Sequence, residues 1–284
     1  MMHKISRSIV SWGAILIGLV AGCAAPQPTQ SENITLHSSE SISPAGQSQR
    51  GAADKVNELT RTPEIVNTSY QKASRECMVS KGYEARSEYY FPHIVKVRSL
   101  VIPRPLSTET ARSSGYGTLP GKTKGSDTGY EMSNEESTAF YGDGSDDFQP
   151  CQDKVLNELF GPRDVWEYYV TLEDYLIPYV NAFVSSEQSR KINEDWSQCM
   201  AEKSYSFAGP GVAMMQTYNT PEAQEVAIAD ALCREQIRYE ERISEGLDVY
   251  MTTFLQDNPA LIERVSQARK NAEQNAPKML NGAS

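Results

Sequence analysis

Five cysteines are the residues of this chain best placed to form covalent bonds, and they fall into two chemical classes. Cys23 closes Val20-Ala21-Gly22-Cys23, a lipobox in which small residues precede a cysteine that is lipidated on sulfur and becomes the mature N-terminus. Lys4 and Arg7 supply a positive start and Ile9–Val20 an apolar run, so residues 1–22 read as a lipoprotein signal peptide. That run covers about 12 residues, short of the roughly 20 needed to span a bilayer. Diacylglyceryl modification supplies two chains, a stable hold where a single acyl chain is marginal. The expected location is the cell membrane, lipid-anchored, on its extracytoplasmic face.

Cys77, Cys151, Cys199 and Cys233 are an even set in an exported chain, where disulfides are the rule. Four cysteines allow three pairings, and spacing alone does not choose. An internal repeat does. Cys77-Met78-Val79-Ser80-Lys81-Gly82-Tyr83 recurs as Cys199-Met200-Ala201-Glu202-Lys203-Ser204-Tyr205, with four of seven positions identical. Each copy leads to one further cysteine, with an aspartate shortly before it and a helical pattern after it. The expected bridges are therefore Cys77–Cys151 and Cys199–Cys233. Successive cysteines lie 74, 48 and 34 residues apart without a C-x-x-C pair, and His37 and His93 are the only histidines beyond the leader. No metal site and no cofactor is expected from that set.

Other constellations could in principle react. Ser69-Tyr70-Gln71-Lys72 has the Ser-x-x-Lys form of penicillin-recognising enzymes, but no Ser-Asp-Asn accompanies it and Lys122-Thr123-Lys124 lacks a final glycine. A nucleophile–histidine mechanism would have to run through His93, without a Gly-x-Ser-x-Gly elbow to support it. Asp143-Gly144-Ser145-Asp146-Asp147 alternates oxygen ligands like a calcium loop, yet Phe148 and Lys154 stand where such a loop has its glycine and its glutamate. No catalytic residue is assigned. Asp143, Asp147 and Glu135 are the carboxylates an envelope hydrolase would use, and this is the alternative reading. Tyrosine is abundant, fifteen in all. Tyr116, Tyr130 and Tyr141 are candidate ligand contacts, because a ring with a polar tip suits sugar or peptide recognition.

Helices must position these groups. Thr62-Pro63-Glu64 is a start signal, and Val66, Tyr70, Ala73 and Cys77 recur at helical spacing up to a stop at Gly82. Ile192, Trp196 and Cys199 follow the same rhythm. Pro162 opens a pattern through Phe183, in which Pro178 is expected to bend or break the helix. Thr220-Pro221-Glu222 opens the longest pattern, running on to Phe254; Asn258-Pro259 starts a last helix expected to fray into a polar tail. From Glu84 to Pro150 the chain is rich in Gly, Ser, Thr and acid, and Ile94–Val97 and Leu100–Ile102 have the make-up of short strands. Residues 23–54 read as a flexible tether.

The expected fold is thus mainly α: disulfide-stapled helical hairpins in two diverged copies, residues 55–160 and 161–284, with a long loop-rich insertion at 84–150 in the first. The copies are joined by further segments, Gly115-Tyr116-Gly117, Phe140-Tyr141-Gly142, Phe148-Gln149-Pro150-Cys151 and Ala229-Asp230-Ala231-Leu232-Cys233-Arg234. This combination, over roughly Tyr70 to Arg234, resembles a group of exported actinobacterial lipoproteins of unknown function. The chain departs from that pattern at Ser204 and Pro150, where glycine is usual. The resemblance implies architecture and address, and no activity.

The full chain carries 27 Lys and Arg against 37 Asp and Glu, a formal net charge of −10, and loss of Lys4 and Arg7 with the leader takes it to −12. Such a surface repels nucleic acid and anionic lipid. The function expected is a non-catalytic binding or interaction role in the cell envelope, held to the membrane by N-terminal lipid, with a wall polymer or another envelope protein as partner. A solute-binding protein of two lobes would need alternating strand and helix patterns, which the chain lacks.

Overall fold

The computed structural model describes residues 34–84, 89, 91, 96–102, 104, 106–117, 132–144 and 149–282. They form α1 (Ala52–Thr60), α2 (Glu64–Ser80), α3 (Thr108–Ser114), α4 (Asn134–Tyr141), α5 (Cys151–Phe160), α6 (Arg163–Val170), α7 (Leu172–Val184), α8 (Glu187–Glu202), α9 (Pro210–Thr217), α10 (Ala223–Ile237), α11 (Tyr239–Asp257) and α12 (Pro259–Leu280). Short 3-10 turns occur at Ser39–Ser41 and Val97–Leu100, and there is no strand among the described residues. The fold is mainly α, and disulfides Cys77–Cys151 and Cys199–Cys233 join α2 to α5 and α8 to α10. Loop-entropy models assign each bridge about 4 kcal/mol at these separations.

The repeated heptapeptide is a helix terminator. After α2, Tyr83 N donates to Met78 O and Gly82 N to Val79 O; after α8, Tyr205 N donates to Met200 O and Ser204 N to Ala201 O. This is the Schellman arrangement, which satisfies the last carbonyls by placing one residue in the left-handed region. Gly82 does so at φ +90° without penalty. Ser204 does so at φ +68°, where its Cβ crowds the backbone. The glycine-to-serine departure therefore leaves the turn intact and adds local strain.

The buried apolar residues, from Ala52 to Ala276, form one core. Helix α12 packs on α2, α5 and α6, while α11 packs on α1, α7 and α8, and α10 carries α3 and α9. Residues 34–284 cluster as one compact unit, so the sequence division at 160/161 does not separate two bodies. Small residues permit the close approaches. Ala268, Ala272 and Ala276, four apart, are fully buried on α12. At Gly246 on α11, an added Cβ would lie 2.4 Å from Phe183 of α7.

Several expectations are corrected. The tether extends no further than Ile34 in the form expected, because the chain beyond is strapped to α11. Ala45 N and Gln49 N donate to the hydroxyls of Thr253 and Thr252, and Gly51 N and Ala53 N to the two carboxylate oxygens of Asp248, at 2.8–2.9 Å. Asp248 thereby caps α1 from another helix, where the N-cap residue Gly51 has no side chain to do it. Ala52, Ala53 and Val56 are fully buried beneath.

The strand expected at Leu100–Ile102 is instead the end of a 3-10 turn at Leu100 and the residues that leave it, and of Ile94–Val97 only Lys96 and Val97 are described, at the start of that same turn. Insertion 84–150 holds α3 and α4 and buries Tyr89, Phe91, Leu106 and Phe140, so it is part of the core rather than only a loop. Pro178 is carried inside α7, and the break falls at Thr171, between α6 and α7. The pattern from Thr220 is split at Arg238, whose φ of +56° separates α10 from α11. The C-terminal tail does not fray before Leu280, because α2 holds its last turn.

Two substitutions test these readings by urea unfolding with both disulfides intact. Ser204→Gly removes left-handed strain and should raise stability by about 1 kcal/mol. Gly246→Ala forces Phe183 out of its place and should cost about 1–3 kcal/mol.

Candidate functional site

The Ser-x-x-Lys pair is consumed in closing a helix. Ser69, 1% exposed, has its Oγ 2.8 Å from Ile65 O and 2.9 Å from Ala276 O, so its one proton is shared between two carbonyls. Lys72 Nζ donates to Leu280 O at 2.9 Å and, more weakly, to Met279 O at 3.4 Å. The last turn of a helix has unsatisfied carbonyls and a partial negative charge, so an ammonium there is favourable. Neither residue is available as nucleophile or base.

The most elaborate polar constellation lies beside the second disulfide. Asp230, fully buried on α10, accepts from Trp196 Nε1 at 2.9 Å, from Arg234 Nε and a terminal guanidinium nitrogen at 2.7 and 2.9 Å, and from the Tyr116 hydroxyl at 3.3 Å. Arg234, four residues on, also donates to Arg104 O at 2.8 Å and Glu240 Oε1 at 3.2 Å, and its guanidinium stands 5.6 Å from the centre of the Tyr239 ring. Burial pushes the Asp230 carboxyl up, against the pull of Arg234, Trp196 and Tyr116. Burial also works against the Arg234 charge, but Asp230 and Glu240 outweigh it and hold the guanidinium protonated. The pair is a satisfied ion pair with no oxygen turned toward solvent, which is a structural clamp.

Tyr116 belongs to that clamp, which corrects its reading as a ligand contact. It is 4% exposed, and burial followed by the Asp230 charge pushes its hydroxyl above the ordinary tyrosine range. The flanking glycines explain the Gly-Tyr-Gly segment. A Cβ on Gly117, at φ +65°, would come within 3.0 Å of the Arg104 guanidinium, which there donates to Tyr116 O at 2.6 Å. Backbone turned this way drives Tyr116 inward and lets Arg104 cross it. Arg104 and Tyr116 thus tie the insertion to α10.

Tyr141 keeps its candidacy: it is 55% exposed, with its ring edge-on to buried Phe140 at 4.8 Å. It stands on α4 beside an open groove of about 600 Å³, lined by Lys81, Tyr83, Asn134, Glu135, Thr138 and Ala139. Asn134, Thr138 and Tyr141 are spaced four and three apart, on one helical face. The other wall is the terminating turn of α2, held next to α5 by Cys77–Cys151. Of the carboxylates proposed for hydrolysis, Glu135 lines this groove, and its own backbone N–H and the Ser133 hydroxyl hold it below the usual carboxylate range. That is the wrong direction for a general acid, whose proton must persist at neutral pH.

Tyr130, Asp147, His93 and Cys23 lie outside the described residues. Among the described residues, no group of three His, Cys, Asp or Glu is placed to hold a metal ion, and no helix is long and apolar enough to cross a membrane. No protein-family model matches the chain, and neither a curated protein nor a solved structure matches it.

Sequence reasoning singled out the segment Ala229–Arg234 but not the clamp. The signal was an aspartate and an arginine at i and i+4 in an otherwise apolar run. Asp230→Ala leaves Arg234 buried without its counter-charge and should cost about 3–5 kcal/mol in urea unfolding. Glu240→Gln, at the half-exposed edge of the same cluster, should cost under about 1 kcal/mol.

Proposed function

We propose that the protein is a lipid-anchored component of the bacterial cell envelope that binds rather than catalyses. Cys23 carries the lipid, the folded part stands on the extracytoplasmic side, and a wall polymer or another envelope protein is its partner. Membership of the exported actinobacterial lipoprotein group belongs to the same proposal. The observation that carries the non-catalytic reading is the fate of the reactive residues. All four cysteines beyond Cys23 are oxidised in pairs, and Ser69 and Lys72 are spent on the end of α12.

The two disulfides support an oxidising compartment, since such bridges persist outside the cytoplasm and are rare within it. The shared turn that ends α2 and α8 supports descent of the body from two diverged copies of one unit. The carboxylate hydrolase gains no support from Glu135, the described candidate that lines the groove.

Cells fed an alkyne analogue of palmitate provide the test. The wild-type chain should take up label and sediment with membranes, and Cys23→Ala should lose both while non-reducing peptide mapping still finds Cys77–Cys151 and Cys199–Cys233. Label retained by the variant refutes the anchor. Pull-downs from intact membranes read the binding role separately, and recovery no greater than that of a charge-reversed control counts against it.

A further inference from the structure

We infer that the groove between the end of α2 and α4 binds a neutral saccharide and lies at the pole of the body opposite to where the chain leaves toward Cys23. The inference deepens the anchored binding role proposed above and rests on it for its orientation.

Helix α12 serves as a ruler. At its start, Asn258 Nδ2 donates to the Tyr179 hydroxyl at 3.0 Å, and the His37 ring lies 6.0 Å from the Tyr179 ring, three residues from Ile34. At its end sits Lys72, on Leu280 O. Helix α2 runs in the same direction, since Ser69 meets Ala276 and Lys72 meets Leu280, and it continues eight residues beyond Lys72 to Ser80. Lys81 and Tyr83 follow, on the wall of the groove. Twenty-two residues of α12 span about 33 Å and the extra eight of α2 about 12 Å, which separates the departing chain from the groove by roughly 40 Å. Ten residues lie between Cys23 and Ile34 and reach at most about 36 Å. An anchor at Cys23 keeps the His37–Tyr179 pole within that reach of the bilayer, and from there the groove can extend toward the wall.

The lining selects the ligand. One ammonium, Lys81, and one carboxylate, Glu135, balance, so the groove attracts neither a polyanion nor a polycation. A polyphosphate polymer would also meet the net negative charge of the whole chain. Asn134, Thr138 and Glu135 offer donors and acceptors to hydroxyl groups. The Tyr83 ring in the lining gives an apolar face for the C–H side of a sugar ring, and exposed Tyr141 stands about one turn along α4 from Thr138. A helical peptide would need a row of apolar side chains, and the lining supplies only Tyr83 and Ala139. The volume of about 600 Å³ is in the range of small-ligand sites.

The full chain in detergent, titrated with an N-acetylglucosamine tetramer and screened on an array of neutral oligosaccharides, tests the ligand class. Binding tighter than about 1 mM is expected for at least one neutral oligosaccharide. The double variant Glu135→Gln, Thr138→Ala should weaken it about tenfold or more, and Met215→Ala, an exposed change on α9, should leave it unaltered. No neutral saccharide bound, or binding indifferent to the double variant, overturns the site. The pole is tested in cells with p-benzoylphenylalanine placed at Tyr141 and, separately, at Leu36. Sugar-bearing adducts at Tyr141 and lipid-bearing adducts at Leu36 are expected; a lipid adduct at Tyr141 overturns the orientation, and an adduct bearing only protein there overturns the saccharide. Because the titration uses solubilised protein, sugar binding that survives with no palmitate on Cys23 refutes the anchor alone.

Discussion

A buried charge is tolerable only when every one of its hydrogen-bonding positions is taken, and the carboxylate of Asp230 sets that demand at the centre of this molecule. Its four donors come from three separate stretches of chain: Trp196 on α8, Arg234 on α10 and Tyr116 in the insertion. Arg234 in turn requires Arg104 O and Glu240, which brings in a second part of the insertion and the start of α11. Satisfying one ion pair thus specifies where the insertion returns to the body. The neighbouring Cys199–Cys233 bridge holds α8 against α10, which keeps the Trp196 donor beside Asp230.

The chain ends are governed by the same requirement applied to backbone groups. The strap from Ala45 to Ala53 would leave a row of N–H groups without partners, and α11 presents Asp248, Thr252 and Thr253 as a stripe of acceptors for them. At the opposite terminus the last carbonyls of α12 are met by Ser69 and Lys72 of α2. Both ends of the described body are therefore fastened by the half of the chain most distant in sequence. This accounts for the failure of the body to separate into two units along the repeat.

The cysteine pairing was legible because a local repeat carried it: Cys77 and Cys199 occupy the same position before the same terminating turn. The helices of α2, α8 and α12 were legible from their start signals and apolar spacing. The bound strap was not, since Ser, Gln, Thr and Pro between Ile34 and Gly51 have no period and their acceptors lie about two hundred residues away. Nor was the split at Arg238, where an arginine adopts a left-handed conformation that its side chain gives no reason to expect. At the groove, Tyr141 could be singled out by its chemistry. Tyr116 has the same chemistry and the opposite fate, because the glycines beside it turn it toward Asp230.

Residue order alone decided the pairing of sulfurs, the helical class and the sites of helix starts, because each depends on neighbours within a few turns of chain or on a short repeat. Which tyrosine is buried, which serine is spent and which carboxylate is buried against an arginine were decided only by tertiary structure. Those outcomes depend on the distance between groups far apart in sequence, and on the water removed from around them, neither of which a linear pattern contains.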